Sequence, residues 1–194
     1  MAVYHPHIYT EGLYFITFTC HRWLPLLEES DGYGAVYRFF AVLQAKGHAV
    51  CGYVIMPNHL HFLLHYGGGA QSLNTLIGNG KRFMAYVIVQ RLTQMERTEL
   101  LCQLQAGVLA KDKQRGKQHQ VWKDSFDVKE CRTEKFTLQK LVYLHENPVR
   151  GKWKLCATSL DYLHSSVLFY FNGGQRLFSV RDYREFIRWE TLYN

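Results

Sequence analysis

Residues 49–65 read AVCGYVIMPNHLHFLLH, and the fold is decided in this stretch. AVCGYVIM (49–56) is an apolar, β-rich run, and a second such run covers 59–65. Pro57-Asn58 between them is a turn dipeptide, so the reading is an antiparallel hairpin. Alternate residues of a strand share a face. His59 and His61 therefore project together, while Leu60, Phe62 and Leu64 take the other side. Two neighbouring neutral imidazoles are two thirds of a small divalent-metal site. A pair of partly exposed strand histidines is the competing reading, and the pattern within the hairpin does not choose between them.

Outward from the hairpin, LYFITFTC (13–20) alternates as a strand, and a helical pattern runs from about Tyr33 to Lys46, ended by Gly47. Beyond a break at Gly67–Gly69, SLNTLIGNGKRFMAYVIVQRL (72–92) reads as a helix weakened by glycine in its first half. Residues 96–119 are polar and basic with poor periodicity, which predicts a long loop or partly ordered insertion. VWKDSFDVKECR (121–132) alternates again and is expected to be a fourth strand. Thr133 precedes a helix from Glu134 to Asn147, where Pro148 stops it. A last amphipathic helix is expected near 180–192. The order βα-ββ-α-β-α predicts an α+β fold, an antiparallel sheet with helices packed on it.

The 134–147 helix has two stripes. Leu138, Leu141, Val142 and His145 form the expected core face, and Gln139, Tyr143 and Asn147 another. If the second stripe looks toward the histidine strand, the constellation is two imidazoles, one amide oxygen and one phenol. Mixed nitrogen and oxygen donors suit Mn²⁺ and tolerate Mg²⁺. Such a cation beside a phosphodiester would offset charge on its oxygens, and would help a phenol of ordinary pKa near 10 to act as nucleophile. Each residue has a blander role open to it: Tyr143 could pack beneath a loop, and Asn147 could simply cap the helix before Pro148.

The chain has 194 residues, is 47% hydrophobic, and carries a formal net charge of +7. That balance suits a polyanionic partner. Lys81, Arg82, Lys123 and Arg150 are the candidate phosphate contacts, although each could be an ordinary solvated cation. Ser165 and Ser166 could cap the following segment or contact nucleic acid. No stretch approaches the roughly 20 apolar residues of a membrane span, and the N-terminus lacks a signal-peptide pattern, so a cytoplasmic protein is expected. The five cysteines are scattered without a CxxC pair, which points to reduced space-fillers. His5, His7, His21, His48 and His119 are expected at the surface. His65 shares the parity of His61 but lies roughly 13 Å along the strand, too far to join the pair.

In these blocks (TFTCHRWLPLL, VIMPNHLHFLL, VWKDSF, YLHENPVRG and YLHSS, in that order over roughly residues 13–170) the chain resembles the single-tyrosine HUH transposases of the insertion-sequence type. It is most similar to their REP-associated tyrosine transposase branch. The resemblance implies a ferredoxin-like HUH nuclease fold and one transposase domain over 1–194, with a basic insertion near 96–119 and a helical tail near 157–194. It implies a divalent-metal endonuclease and strand transferase acting on single-stranded DNA, often beside a hairpin. Tyr143 would form a 5′-phosphotyrosine link, His59 and His61 would be metal ligands, and Asn147 the third, where relatives often carry Gln. A nucleoid-associated protein and a homodimer are further implications. Two rivals stand beside this reading: an inactive descendant that only binds DNA hairpins, and a metal-dependent phosphodiesterase that uses water.

Overall fold

The computed structural model describes residues 9–124, 126–151 and 153–186. In chain order the elements are β1 (Gly12–Thr19), α1 (Leu26–Glu29), α2 (Tyr33–Ala45), β2 (Ala49–Met56), β3 (His59–Tyr66), α3 (Leu73–Gln94), α4 (Thr98–Ala106), α5 (Ala110–Lys113), β4 (Asp127–Glu130), α6 (Glu134–Glu146) and α7 (Val167–Asn172). The four strands form one sheet in the order β2-β3-β1-β4, and every neighbouring pair is antiparallel. Helices cover both faces, so the architecture is the α+β sandwich that the hairpin and its flanks predict.

Strand alternation sorts the core into two layers. Tyr14, Ile16 and Phe18 of β1 join Leu60, Phe62 and Leu64 of β3 beneath α2 and α3. The helices meet them with Val36, Phe39, Phe40 and Leu43, the i, i+3, i+4, i+7 positions of one helical face, and with Leu76, Ile77, Met84 and Ile88. Burying each of these aromatic or aliphatic side chains contributes about 1.5–3 kcal/mol, so this layer is the main source of stability. Leu13 and Phe15 of β1 and Leu63 of β3 face the opposite way, toward Leu141 and Leu144 of α6.

β2 changes phase part-way along. Its register with β3 slips between Val50 and Gly52. Ala49 before the slip, Cys51 at it, and Val54 and Met56 after it therefore share the α6 layer. A Cβ on Gly52 would lie 2.8 Å from Leu141 Cδ2, so the bulge glycine lets α6 approach the sheet. The outer edge of β2 is covered by the returning chain. Ile55 N–H donates to the His164 carbonyl (2.9 Å), and Ser166 N–H donates to the Tyr53 carbonyl (3.0 Å). Pairing of this kind removes an open strand edge. Ser165 and Ser166 are both buried. Ser165 Oγ accepts from Val167 N–H at the start of α7, and Ser166 Oγ accepts from Tyr53 N–H while lying 3.0 Å from His145 Nε2. Of the two roles open to these serines, the structural one is observed.

Several expectations are corrected. Residues 96–119 are not a long loop but hold α4 and α5, with Leu104 buried and Leu100 and Leu101 partly so. A nine-residue helix with one fully buried position leaves too weak a period to read. The fourth strand is four residues long rather than spanning 121–132; Trp122 forms only an isolated bridge, to Cys20 just past β1, and packs its ring edge-on to Phe18. Leu138 and Val142 are exposed, and the buried stripe of α6 is Thr137, Leu141, Leu144 and His145. His48 is buried against Tyr66, and His21 and His119 are half-buried; His5 and His7 lie outside the described residues. Of the helix expected near 180–192, the described part has only a single 3₁₀ turn at Tyr183–Glu185, and the rest lies outside the described residues.

The two glycines in the first half of α3 differ. A Cβ on Gly80 would sit 2.2 Å from the Phe39 ring, whereas one on Gly78 meets nothing within 4 Å. Gly80→Ala should therefore cost about 1–3 kcal/mol by overpacking, and Gly78→Ala should stabilise by up to about 1 kcal/mol through helix propensity. Urea melts of the two variants beside the wild type check both signs.

Candidate active site

His59 and His61 sit on β3, which is hydrogen-bonded on both edges, and they are only 7% and 5% exposed. Their rings are 4.8 Å apart between centroids. α6 passes across them. Thr133 caps its N-terminus by accepting from Phe136 N–H, and Pro148 in the 3₁₀ turn Asn147–Val149 ends it. One face of the helix carries Lys140, Tyr143 and Asn147 into the same cavity as the histidines, a space of about 340 Å³ that Phe15, Thr17, Trp23, Asp127 and Lys129 also line. Tyr143, 44% exposed, packs edge-on to His61 with ring centroids 5.2 Å apart. The four residues marked by their spacing are thus brought together.

The hydrogen-bond network determines which nitrogen of His59 is bare. The Trp23 carbonyl can only accept, and it takes a hydrogen bond from Asn58 Nδ2 at 3.1 Å. This turns Asn58 Oδ1 toward His59 Nδ1 at 2.7 Å, so that nitrogen must carry the proton. His59 Nε2 is then a bare lone pair, and it faces Asn147 Oδ1 at 3.2 Å. Two acceptors at that distance repel unless a cation joins them or the Asn147 amide turns to donate its NH₂. Across the sheet, Thr17 is the register partner of His61, and its hydroxyl lies 2.8 Å from His61 Nδ1. A proton on Nδ1 donated to Thr17 leaves His61 Nε2 bare as well. Metal-ligating histidines are held in this manner, with the second nitrogen fixed by an oxygen acceptor. Among the described residues no group of three His, Cys, Asp or Glu side chains is placed to hold a metal. The oxygen seen against a bare imidazole nitrogen is that of the Asn147 amide.

Burial pushes His59 down to about 4, partly opposed by its contact with Asn147. Burial, then the neighbouring His59 and the charge of Lys140, hold His61 well below the usual imidazole range. Both are therefore neutral at pH 7, the form that donates a lone pair. The Lys140 ammonium lies 5.7 Å from the centre of the Tyr143 ring and 5.2 Å from that of Phe15, adding positive charge beside the phenol. Lys140 was legible as the i−3 neighbour of Tyr143 on the helix. Asn58 adjoins the pair in sequence. Thr17 and Trp23 come from β1 and its exit, and only the strand register reveals them.

The candidate phosphate contacts divide. Lys81, Arg82 and Lys123 line a second, larger groove of about 870 Å³ between α3 and residues 115–126, together with Arg115 and Lys117. Asp124 is the one acid among these lining residues. The Lys81 ammonium is folded back over Phe18 and Phe126 and donates to the Lys123 carbonyl, and burial pushes it down to about 8. Arg150 is exposed, paired with Glu146, and lines neither cavity. His65 stacks on Phe186 and faces Glu11, apart from the pair.

No family model matches the chain, and no curated protein matches it in sequence. Among solved structures it is similar to a REP-associated tyrosine transposase bound to a REP hairpin, at TM-score 0.58 and 16% identity over 94% of this chain and 93% of that one. The two share a fold. A candidate transposase from Deinococcus radiodurans R1 matches at TM-score 0.39 and 14% identity, over 75% of this chain and 97% of that one, a likeness too distant to carry an argument.

The histidines fix the acid behaviour of the metal-free protein. His59 and His145 are both lowered to about 4 by burial. Between pH 6.5 and 4 the unfolded chain binds protons that the folded chain does not, so stability falls on acidification through that window. Each group accounts for at most about 3 kcal/mol. Urea unfolding in EDTA at pH 7 and pH 4.5 should show a lower midpoint at the acid value, and equal midpoints would contradict the buried neutral state.

Proposed function

We propose that the chain is a transposase of the single-tyrosine type, a divalent-metal-dependent endonuclease that cuts and rejoins single-stranded DNA through Tyr143. The observation that carries this is the placement of a half-exposed phenol against two neutral imidazoles, with an amide oxygen 3.2 Å from the bare nitrogen of His59. The fold shared with a REP-associated tyrosine transposase supports the reading.

His59, His61 and Asn147 would hold the cation, Mg²⁺ or Mn²⁺, because imidazole and amide donors suit both and leave room for phosphate oxygen. When bound, the cation supplies Lewis-acid polarisation of the scissile phosphate. The chain's own residues do the rest. Tyr143 Oη forms a bond to phosphorus as the bond from phosphorus to the 3′ oxygen breaks. The phenolic proton finally resides on that oxygen, giving a free 3′-hydroxyl and a 5′-phosphotyrosine. One phosphodiester is exchanged for another, so the step runs in either direction and the same site rejoins strands. Lys140 adds cationic charge where the phosphate would lie. A single tyrosine makes one covalent link at a time, so complete transposition requires two sites or two successive turns. The partner would be single-stranded DNA flanked by a hairpin, and the basic groove under α3 would hold part of its backbone.

Labelled single-stranded oligonucleotides incubated with the protein and Mn²⁺ and run on denaturing gels test the chemistry. The wild type should give a covalently shifted band. Tyr143→Phe should lose it while retaining DNA affinity, and His59→Ala or His61→Ala should lose cleavage. Free fragments without a shifted band would indicate water as nucleophile, and binding alone would indicate an inactive descendant. An adduct that persists in Tyr143→Phe overturns the assignment.

The groove makes a separate, ionic prediction. Counterion release lowers log K against log salt by about 0.7 per phosphate contact on single strands. Replacing both Arg115 and Lys123 by Ala should flatten the slope by about 1.4, whereas Arg150→Ala, outside both cavities, should leave it unchanged. Fluorescence anisotropy across a salt series measures this.

A further inference from the structure

The Trp23 indole has no part in the chemistry described above, yet Trp23 forms a wall of the cavity that holds Tyr143. It is 58% exposed, and its ring meets His59 edge-on at 5.8 Å between centroids. An isolated exposed aromatic needs no explanation. This one is held out by an unfavourable backbone. Arg22 and Trp23 are consecutive non-glycine residues with φ of +51° and +60°, in the left-handed region. The conformation is secured on both sides: Trp23 N–H donates to the Cys20 carbonyl at 3.1 Å, Leu24 N–H donates to the His21 carbonyl at 3.0 Å, and the Trp23 carbonyl accepts from the buried Asn58 amide. The bond to Asn58 is the one that sets the His59 tautomer, so the indole is fixed to the same frame as the imidazole. Strained backbone persists only where its surroundings over-determine it, and such residues cluster at working sites.

We infer that Trp23 is a base-stacking subsite, which takes one unpaired nucleobase of the strand whose phosphate lies at Tyr143. This rests on the proposed function and adds to it a contact with a base. The ligand class follows from the chemistry of the surroundings. An apolar partner would have to cover the charged rim formed by Lys129, Lys140 and Asp127. A nucleotide offers an aromatic face for the indole and a phosphate for the cations, and the exposed Arg22 adds a further cation beside the indole. Stacking accepts any base, because each has a π face. The subsite would therefore register the strand along the cavity and place one phosphate at Tyr143 without reading sequence.

The test begins with the cleavage point that the wild type gives in the adduct assay. 2-Aminopurine is then walked base by base along that oligonucleotide and bound to full-length Tyr143→Phe, with Mn²⁺ and with EDTA. Quenching should concentrate at a base flanking the cleaved phosphate, vanish with W23A added, and persist with W23F or W23Y. In the cleaving protein, W23A should raise KM by roughly 5- to 100-fold with little change in kcat, and W23F should recover most of the loss. W23G tests for a structural role, because glycine accepts the left-handed backbone freely. Its melting temperature should be unchanged or higher. Quenching and KM unaffected by W23A, or W23F as impaired as W23A with lowered melting temperatures, overturns the subsite. A wild type that forms an adduct but shows no Trp23 effect rejects the subsite alone. A wild type that forms no adduct removes the transposase reading and the subsite with it.

Discussion

Two imidazoles on a strand that is paired along both edges are held neutral by burial, and the N–H of each needs an acceptor. Much of the local structure answers that demand. Asn58, immediately before β3, supplies an acceptor to His59 because the Trp23 carbonyl holds the other end of its amide. Thr17, directly across β1, supplies an oxygen to His61. These contacts take up the Nδ1 atoms, and the Nε2 of His59 faces Asn147 at the end of α6. Had the turn delivered the histidines one residue out of register, both would lie in the α2–α3 layer among phenylalanines.

The second requirement is that α6 pass at the right height. Two contacts fix it. The bulge at Gly52 provides a place without a Cβ where Leu141 comes down onto β2, and the buried pair of His145 with Ser166 ties the helix to the segment that closes the β2 edge. With Leu141 and His145 anchored, Lys140, Tyr143 and Asn147 face the histidines. The tail residues 164–166 thus serve the site from a distance: they line none of its cavity, yet they hold the helix that carries Tyr143.

How much of this was legible follows from the physics of each element. The hairpin, the two long helices and the pairing of His59 with His61 announce themselves, because buried strands and amphipathic helices impose strong periods. Tyr143 and Asn147 could be read as one face of one helix. What escaped was of two kinds. Short or marginal elements, such as α4 and β4, bury too few residues to leave a pattern. Leu138 and Val142 show that an apolar side chain on a helix need not mark its buried face when Thr137 and His145 find polar partners inside. The other kind is long-range: Thr17 and Trp23 join the site through strand register and through the chain's exit from β1, neither of which is written in local spacing.

The two faces of the sheet divide the work between them. The layer under α2 and α3 is almost wholly aromatic and aliphatic, with Phe18, Phe39, Phe40 and Phe62 in mutual contact. Each such ring contributes kilocalories by burial. The layer under α6 is smaller and is interrupted by buried histidines, His59, His61, His65 and His145, that contribute no comparable apolar burial. A protein of marginal net stability can carry neutral imidazoles in its centre and a left-handed tryptophan at the rim only if another face compensates. The same division explains why the strain is local. Arg22 and Trp23 sit where β1 leaves the sheet, beside the polar layer, and β1 itself stays regular where it packs against the phenylalanines. Rigidity beneath the site and strain at its edge are thus two consequences of one sheet that is apolar on one side and chemically equipped on the other.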